Sequence, residues 1–548
     1  MKEIISSLLA KELNLKKESI ENLIEIPPSS ELGDYAFPCF SLASKFKKNP
    51  IDISTELAKK LQAKLPKEIE KLEAKGPYIN FFVNKNILAI KTIKEILKKK
   101  ENYGKGKEKE KILLEHTSVN PNASPHVGRA RNSIIGDSIK RILQFSGNKL
   151  ETHYYVNDVS KQVAILALNF KLGDDFDDLL KKYVEASKKI QDPAIEKKVF
   201  SLLEKFEKKD KEITKLFKII VDIAVKGQKE IFSSIGINFD YFDYESKYLN
   251  SGKEILKQLE KTGKLFKDEE GRFVLNQKNT GLETKMKTPV LVLTRSNGTG
   301  LYPLRDLAYT IEKCKKGKNI IILGEDQKLY FEQIKQALIL LKKPFPQVIH
   351  YSFVLLKDEE GTKKMSTRSG ELVLLEEFIK EAVNKARIEL ANRKTKGDAK
   401  KIGISAIKYA MLRNENNKNI IFDWQQALNF EGDSGPYLQY SYARASSIIR
   451  KSKKKPQLKL QNLDEKEISL IKKLSDFPEI ISSSRKQLSP HIIANYSFEL
   501  AQTFNEFYHN CQVIGSEKEE FRLALVQAFR IVIKSSLELL GIEVMEEM

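Results

Sequence analysis

Apolar residues recur at two different spacings along the chain, and the change of spacing divides it into three parts. In the first part, helical spacing occurs near residues 2–14 and 52–64, and the stretch GPYINFFVN (76–84) is strand-like. A charged, glycine-punctuated stretch, KKKENYGKGKEKEK, follows. This pattern predicts an N-terminal α+β domain over residues 1–107.

Short apolar stretches alternate with helical patterns from Lys111 to about Leu375. The predicted strands are KILLEHT, ETHYYVN, PVLVLTR, NIIILG and HYSFVLL. Such alternation is typical of a parallel sheet with crossover helices, so residues 108–375 are predicted to form an α/β domain. Long lysine-rich helical segments and the strand-like RFVLNQ interrupt the alternation between about 158 and 285, which we interpret as an insertion.

Strands nearly vanish after residue 375, and amphipathic helical patterns replace them. These patterns occur in EEFIKEAVNKARIEL, ISAIKYAMLRN, PYLQYSYARASSIIRK, SFELAQTFNEFYHN and FRLALVQAFRIVIKSSLELL. They predict an all-α helical bundle over residues 376–548. The whole chain is therefore predicted to be a multidomain α/β protein.

The net charge indicates a class of partner. The 548 residues include 95 Lys and Arg against 74 Asp and Glu, which gives a formal net charge of +21. Such an excess suits a polyanionic partner, nucleic acid first. The alternative is a lysine-rich composition of the whole proteome, since lysine far outnumbers arginine.

Cysteine usage and hydropathy argue against a zinc-binding protein, a membrane-spanning protein and a secreted protein. Cys39, Cys314 and Cys511 are isolated, and the sequence has no CxxC pair, so we expect no structural zinc and no protein metal site. No stretch approaches the roughly 18 consecutive apolar residues of a membrane span. The start, MKEIISSLLAKELN, is an amphipathic helix pattern rather than a signal peptide. We expect a cytoplasmic protein without a membrane partner.

The stretch PHVGRARNSIIGDS (125–138) begins a helix directly after the strand KILLEHTS and the turn VNPNAS. The unpaired backbone N–H groups of a helix N-terminus attract phosphate. Gly128 would let a nucleotide approach the backbone, and His126 can donate to phosphate oxygens. Taken alone, however, a histidine at this place is more often a helix cap or a packed side chain.

A second motif favours the phosphate site. His126-Val127-Gly128-Arg129 resembles the HIGH motif of class I aminoacyl-tRNA synthetases, and KKMSTRSG (363–370) resembles their KMSKS loop. The resemblance implies a Rossmann-like catalytic domain that binds ATP. It implies ATP contacts for His126, Gly128, Arg129, Lys364, Met365 and Ser366. It implies catalytic roles for His126, Gly128, Arg129, Lys364 and Arg368.

Longer stretches are similar to one branch of these enzymes, the arginyl-tRNA synthetases. They are EHTSVNPN, YPLRDLAYTIEK, IIFDWQQALNFEGDSGPYLQYSYAR and, for an extra N-terminal domain, ELGDYAFPCFSLASKFKKNP. The resemblance covers essentially the whole chain. It implies that L-arginine reacts with ATP to form arginyl-adenylate, and that arginine then passes to the 3′-terminal adenosine of tRNA(Arg). It also implies Mg²⁺ bound with the nucleotide and a monomeric enzyme.

The arginine-binding positions that the resemblance implies carry mostly carboxylate and amide oxygens. They are Glu115, Asn120, Tyr302, Asp306 and Gln327. A guanidinium group is planar, permanently charged and rich in donors, so a site for it needs such acceptors. The alternatives are that Asp306 caps the helix LAYTIEKC and that Glu115 pairs with a neighbouring lysine.

The resemblance implies tRNA contacts in both flanking domains. They are Tyr78 and Asn80 at the tRNA elbow, and Tyr440, Arg444, Tyr508 and the C-terminal Met548 near the anticodon. Tyr440 and Arg444 share one helix face and suit stacking on unpaired bases and binding of phosphate. The alternative for Tyr440 and Tyr78 is an aromatic side chain packed inside its own domain.

Three departures from the family motifs concern the triphosphate. Arg129 replaces the second histidine of HIGH, and Thr367 replaces the final lysine of KMSK. Ala123 replaces a lysine that some members carry just before HIGH. The missing positive charge then has four candidate sources: Lys364, Arg368, Arg129 and Arg131.

Two rival functions remain open at this point. The first is a class I synthetase for another amino acid, with a bundle-type anticodon domain. Measuring which amino acid supports pyrophosphate exchange would distinguish it. The second is a non-catalytic RNA-binding paralogue, which would not charge tRNA. The presence of His126, Gly128, Lys364 and the arginine set argues against the second.

We predict that affinity for tRNA falls steeply with salt, because lysines on both flanking domains neutralise phosphates. A protein that contacts several phosphates loses about a thousandfold or more in affinity between roughly 50 and 200 mM salt. Filter binding of transcribed tRNA(Arg) across this range measures the slope. A flat response would show that the net charge of +21 reflects composition alone.

Overall fold

The predicted alternation of strands and helices produces a five-stranded parallel sheet, as the Rossmann-like expectation requires. The structure, a computed structural model, describes residues 1–190, 192–358, 361–364, 373–459 and 462–548. Unit 1 consists of residues 1–103, 448–477 and 502–532. Unit 2 consists of residues 104–447, 478–501 and 533–548 and contains the parallel sheet.

Unit 1 begins with helices and a small antiparallel sheet. Its N-terminal elements are α1 (Lys2–Leu13), α2 (Lys17–Glu21), β1 (Tyr35–Pro38), α3 (Phe40–Phe46), α4 (Pro50–Gln62), β2 (Ile69–Lys75), β3 (Tyr78–Val83) and α5 (Lys85–Lys99). The strands pair in the order β1-β3-β2. The helices predicted near 2–14 and 52–64 and the strand predicted in 76–84 are confirmed as α1, α4 and β3.

In the parallel sheet of unit 2, the order in which the chain adds strands reverses once. Its elements are β4 (Lys111–Glu115), α6 (Val127–Phe145), β5 (Lys149–Val156), α7 (Lys161–Asn169), α8 (Phe176–Lys189), α9 (Pro193–Glu207), α10 (Lys211–Ser234), β6 (Tyr241–Tyr244), α11 (Gly252–Glu260), β7 (Leu265–Lys267), β8 (Phe273–Asn276), β9 (Val290–Val292), α12 (Tyr302–Cys314), β10 (Lys318–Gly324), α13 (Lys328–Leu340) and β11 (Gln347–Tyr351). The sheet order is β11-β10-β4-β5-β6. The chain therefore builds outwards from β4 to β6 and then returns to the other side of β4.

Two strands, β9 and β6, differ from the sequence prediction. The prediction that PVLVLTR joins the parallel sheet is wrong, because β9 pairs antiparallel with β8 in a separate sheet, β7-β8-β9. Composition does not reveal this, since the stretch is as apolar as the parallel strands. The strand β6, with the sequence YFDY, was not predicted because it has no apolar run; it lies inside segment 158–285 yet pairs with β5.

Helices dominate the described chain after residue 374. The remaining elements are β12 (Val354–Asp358), β13 (Gly361–Lys364), α14 (Leu375–Arg393), α15 (Ala399–Leu412), β14 (Ile420–Phe422), α16 (Trp424–Ala427), α17 (Gly435–Lys451), α18 (Glu465–Gln487), α19 (His491–Asn510) and α20 (Glu519–Leu539). HYSFVLL thus contains two strands, β11 and β12, and β12 belongs to the small sheet β13-β12-β14. The predominantly helical character predicted for this part is confirmed, although the short strand β14 lies within it, whereas the domain boundaries stay predictions.

The helix that begins at the HVGR segment is anchored by the predicted apolar positions. Ile134, Ile135, Ile139, Ile142 and Leu143 on α6 are all buried, with at most 3% of their surface exposed. Burial of such side chains contributes roughly 1.5–3 kcal/mol each, so α6 is firmly seated beside the sheet. Among the described residues, no helix has both the length and the hydrophobicity needed to cross a membrane.

Candidate active site

The carboxyl ends of the parallel strands open onto one cavity of about 380 Å³. Glu115 is the last residue of β4, Glu245 follows β6, and a helical turn, Glu325–Gln327, follows β10. All three places contribute to the cavity wall. Ligands of open parallel sheets bind at this edge, where the order of the strands reverses, which is between β4 and β10 in this fold.

All five predicted arginine contacts line this cavity. They are Glu115, Asn120, Tyr302, Asp306 and Gln327. They come from the end of β4, the loop after it, the first turns of α12 and the turn after β10. Arg129 lines the same cavity from the first turn of α6. Residues that are dispersed in sequence therefore meet around one space.

Asp306 is a buried acceptor in the cavity wall. The Tyr330 hydroxyl donates to its carboxylate. Burial raises the pKa of Asp306 to about 6; the hydroxyl of Tyr330 opposes this shift and the charge of Glu115 adds to it. Asp306 lies inside α12, whose N-cap residue is Leu301, so it does not cap that helix.

Glu115 is both a cavity residue and one half of an ion pair. The buried Lys313 on α12 donates to its carboxylate, and the Lys313 Nζ atom lies 4.2 Å from the centre of the Tyr309 ring. The alternative that Glu115 pairs with a lysine is therefore correct, although the partner is distant in sequence. The same carboxylate still faces the cavity.

Glu245 is a third acidic residue of the wall, and it is not among the residues that the sequence predicts. It is 1% exposed, and Arg305 donates to its Oε1 atom. Its Oε2 atom finds no hydrogen-bond partner among the described residues. Burial raises the pKa of Glu245 to about 7, despite the charge of Arg305. A buried carboxylate oxygen without a partner beside a cavity indicates a ligand contact.

The other end of the site is the N-terminus of α6. His126 is the N-cap residue, and burial together with the charge of Arg129 lowers the pKa of its imidazole to about 4. The ring is therefore neutral near pH 7, and its Nδ1 atom has no partner in the described part of the chain. Gly128 and Arg129 occupy the first turn, where free backbone N–H groups favour anions.

This helix start is joined to the segment that follows the KMSK-like loop. The Val127 N–H donates to the Val373 carbonyl oxygen at 3.0 Å, and the Leu375 N–H donates to the Pro125 carbonyl oxygen at 2.7 Å. Lys364 ends β13. The Lys364 side chain and the residues Met365, Ser366, Thr367 and Arg368 lie outside the described structure, so their predicted roles stay predictions.

Arg131, one of the four candidate sources of positive charge for the triphosphate, does not line the cavity. It is fully buried, and its Nη1 atom donates to the carbonyl oxygens of Ser352 and Lys418 at 2.6 and 2.7 Å. Its Nη2 atom donates to the Glu415 carbonyl oxygen at 3.2 Å. Residues two apart on a helix point to different sides, so Arg129 and Arg131 have different environments.

The loop between β4 and α6 has an uncommon backbone conformation. Thr117 and Ser118 have φ angles of 79° and 51°, a region that non-glycine residues seldom adopt. The Thr117 N–H donates to the Asn132 side-chain oxygen at 3.1 Å. A Cβ atom at Gly136 would lie 2.3 Å from the His116 ring, so only glycine lets α6 pack this closely against the loop.

The predicted elbow contacts lie on β3 of unit 1. Tyr78 is half-buried, and its ring meets the exposed Phe40 edge-on with 5.1 Å between the ring centres. Asn80 is only 5% exposed. Tyr78 can therefore reach a partner, whereas Asn80 offers little surface.

The predicted anticodon contacts lie on separate helices and at the C-terminus. Tyr440 and Arg444 are half-buried on α17, and the Arg444 guanidinium lies 4.8 Å from the centre of the Tyr440 ring. Tyr508 on α19 is 39% exposed, and Met548 is half-buried. Their contacts with RNA stay predictions.

Comparison with known proteins gives matches along the whole chain. Family descriptions match residues 92–424 ("tRNA synthetases class I (R), catalytic domain"), 438–548 ("DALR anticodon binding domain") and 1–83 ("Arginyl tRNA synthetase N terminal domain"). The arginine–tRNA ligase of Methanocaldococcus jannaschii is 39% identical, with 99% of this chain and 97% of the relative covered. The arginyl-tRNA synthetase structure of Thermus thermophilus has a TM-score of 0.82 at 27% identity and covers 100% of this chain and 99% of its own.

We predict that a guanidinium ligand binds less tightly as the pH falls through 6. The pKa of Asp306 is raised to about 6, so below that pH its carboxyl group is neutral and loses its attraction for the cation. Each pH unit below the pKa should weaken binding by up to about tenfold. Titration calorimetry with arginine between about pH 8 and pH 5.5 measures the trend.

The matching substitution is Asp306→Asn, which removes the charge at every pH. Loss of a buried charged contact costs about 2–5 kcal/mol, so the affinity for arginine at pH 8 should fall at least about 30-fold. A pH dependence from Glu245 should remain, centred at a lower pH than in the unsubstituted protein, because the charge of Asp306 helps to raise the pKa of Glu245 to about 7. Unchanged affinity in the variant would show that Asp306 does not touch the ligand.

Proposed function

The chain belongs to the arginyl-tRNA synthetases of class I, as its motifs predict, and from this premise we propose how its residues carry out the reaction. The enzyme uses ATP to join L-arginine to tRNA(Arg). The observation that carries the assignment of the amino acid site is the convergence of Glu115, Glu245 and Asp306 on one cavity.

The guanidinium group of arginine binds between Asp306 and Glu245. Both carboxyl groups are buried, and the free Oε2 atom of Glu245 borders the cavity. Planar bidentate contacts with carboxylates suit a guanidinium better than the ammonium of lysine. Asn120 and Gln327 offer both donors and acceptors, so they suit the α-ammonium and α-carboxylate groups.

ATP binds with its phosphates at the N-terminus of α6. The α-carboxylate of arginine attacks the α-phosphorus, a carboxyl–phosphate bond forms, and the bond to the β-phosphate breaks to release pyrophosphate. No protein nucleophile is needed, because catalysis consists of positioning and of stabilising negative charge on the phosphates. The neutral His126 donates a hydrogen bond and Arg129 contributes a full charge. In the second step, the 2′-hydroxyl of the terminal adenosine attacks the arginyl carbonyl, and AMP leaves.

The remaining parts of the assignment concern the metal, the assembly and the RNA. Mg²⁺ arrives with ATP and is bound by phosphate oxygens, as is usual for this ion. Within the described residues, no group of three or more His, Cys, Asp or Glu side chains gathers as a metal site. The enzyme acts as a cytoplasmic monomer, and Tyr440, Arg444 and Tyr508 contact the anticodon region.

We predict that the purified protein charges tRNA(Arg) with arginine and with none of the other nineteen standard amino acids. The carboxylates of Asp306 and Glu245, which are proposed to bind the guanidinium group, disfavour neutral side chains, since a buried charge without a partner costs several kcal/mol. Charging assays with each labelled amino acid test this. Charging with another amino acid would indicate a different class I specificity, and no charging at all would indicate an RNA-binding paralogue.

We predict that Arg129 supplies the cation that Thr367 lacks. It lies in the first turn of α6 and lines the cavity, and a guanidinium group offers a planar set of N–H donors that matches phosphate oxygens. Arg129→Ala should slow adenylate formation by about 2–4 kcal/mol, which is roughly 30- to 1000-fold, with little effect on arginine binding. Single-turnover activation assays measure the rate.

Rescue and control variants make this prediction specific. Arg129→His should recover part of the rate, because histidine is the residue of the family motif. Adding Ala123→Lys to Arg129→Ala should recover another part. Arg141→Ala is the control, since Arg141 lies on the same helix but pairs with Asp137. Activation at the wild-type rate in Arg129→Ala would mean that this arginine has no phosphate role.

A further inference from the structure

Gln228 connects the helical segment between β5 and β6 to the active-site loop. It lies on α10 and is 1% exposed. Its Nε2 atom donates to two carbonyl oxygens of the loop between β4 and α6, those of Asn120 and Ala123, at 2.9 Å each. A side chain from a distant helix therefore binds the loop that leads from the amino acid site to HVGR.

The orientation of the Gln228 amide is fixed by its surroundings. Carbonyl oxygens only accept hydrogen bonds, so the NH₂ group must face the loop. The Oε1 atom faces the Tyr154 hydroxyl, which donates to it at 2.7 Å. The same hydroxyl accepts a bond from the Val119 N–H at 3.0 Å. Both N–H groups and the oxygen of the amide are thus engaged, and the network also includes the loop residue Val119.

The Asn120 carbonyl oxygen also accepts from the Asn122 N–H at 2.8 Å, and side chains make further bonds to the loop backbone, those of Asn132, Tyr154 and Gln228. Thr117 and Ser118 have positive φ angles, which cost energy unless the surroundings enforce them. Asn120, whose carbonyl oxygen accepts from Gln228, also lines the arginine cavity. The placement of the Asn120 side chain therefore depends on the bond from Gln228.

We propose that Gln228 is a positioning residue for arginine activation, which gives the helices between β5 and β6 a role in catalysis. It acts through the loop, by holding the backbone at Asn120 and Ala123 so that the Asn120 side chain enters the cavity at a fixed position. The proposal rests on the proposed function, because it takes the cavity to be the arginine site.

The nucleotide end of the same loop has its own attachment. Main-chain bonds join Val127 to Val373 and Pro125 to Leu375. Loss of the Gln228 contacts should therefore shift Asn120 more than His126. The expected result is a defect in the use of arginine that is larger than the defect in the use of ATP.

The test compares two substitutions of Gln228 with a matched control. Gln228→Glu keeps an acceptor for Tyr154 and leaves at most one donor for the loop, and Gln228→Met removes all the polar contacts. The control is Gln333→Glu, because Gln333 on α13 is also buried and donates to a backbone carbonyl, that of Val290, at 2.9 Å. Charging kinetics and melting temperature are measured for each protein.

The Gln228 variants should lose about 10- to 100-fold in kcat/KM for arginine, the usual effect of displacing a contact by about 1 Å. Their KM for ATP should change by less than about threefold. Gln333→Glu should lower the melting temperature to a similar degree while arginine use stays normal. Tyr154→Phe, which removes only the hydroxyl, should reproduce part of the arginine defect and serves if Gln228→Met does not fold.

Two results would overturn the proposal. One is wild-type kcat/KM for arginine in folded Gln228→Glu or Gln228→Met protein. The other is an equal loss of catalytic efficiency for arginine and for ATP in the Gln228 variants, with Gln333→Glu showing a loss that matches its decrease in melting temperature. Failure of the proposed function would look different, because the wild-type protein would then not charge arginine in the parallel assay.

Discussion

The active-site cavity contains buried carboxyl groups, and the arrangement of the residues around it follows from the need to stabilise their charge away from water. Removing a charge from water costs several kcal/mol unless a counter-charge is close. The protein provides two buried cations, Lys313 for Glu115 and Arg305 for Glu245. Asp306 has a hydroxyl group as its partner instead. Of these three residues, Asp306 is therefore the one that has no cation as its hydrogen-bonding partner, and it is available to a ligand with a permanent positive charge.

A single helix carries most of these charged groups. Arg305, Asp306 and Lys313 all belong to α12, whereas their carboxylate partners end β4 and follow β6. The ion pairs thus fix how α12 lies against the parallel sheet, in addition to setting the charge of the cavity. A shift of α12 along its axis would separate both pairs at once, so substrate recognition and the packing of this helix depend on each other.

The sequence predicted the parallel sheet, the helical character of the C-terminal part and five of the residues that line the cavity, which are features that local patterns and motifs express. The family motifs carry Asp306 and Gln327 with them, and the structure brings both to the cavity. Glu245 was missed because β6 has no apolar run that marks it as a strand. Arg131 was one of the candidate cations because a motif gives the residue but not the direction of its side chain, which the structure places on backbone carbonyl oxygens. The Glu115 partner depends on tertiary packing, which sequence spacing does not show.

The main-chain bonds between residues 125–127 and 373–375 also determine when the active site can form during synthesis of the protein. The two segments that these bonds join are far apart in sequence. Bringing them together costs loop-closure entropy, which the folding of the intervening chain must offset. On the ribosome, α6 emerges long before its partner segment. The nucleotide end of the site is therefore completed late, after Leu375 has left the exit tunnel, and a nascent chain shorter than this cannot yet activate an amino acid.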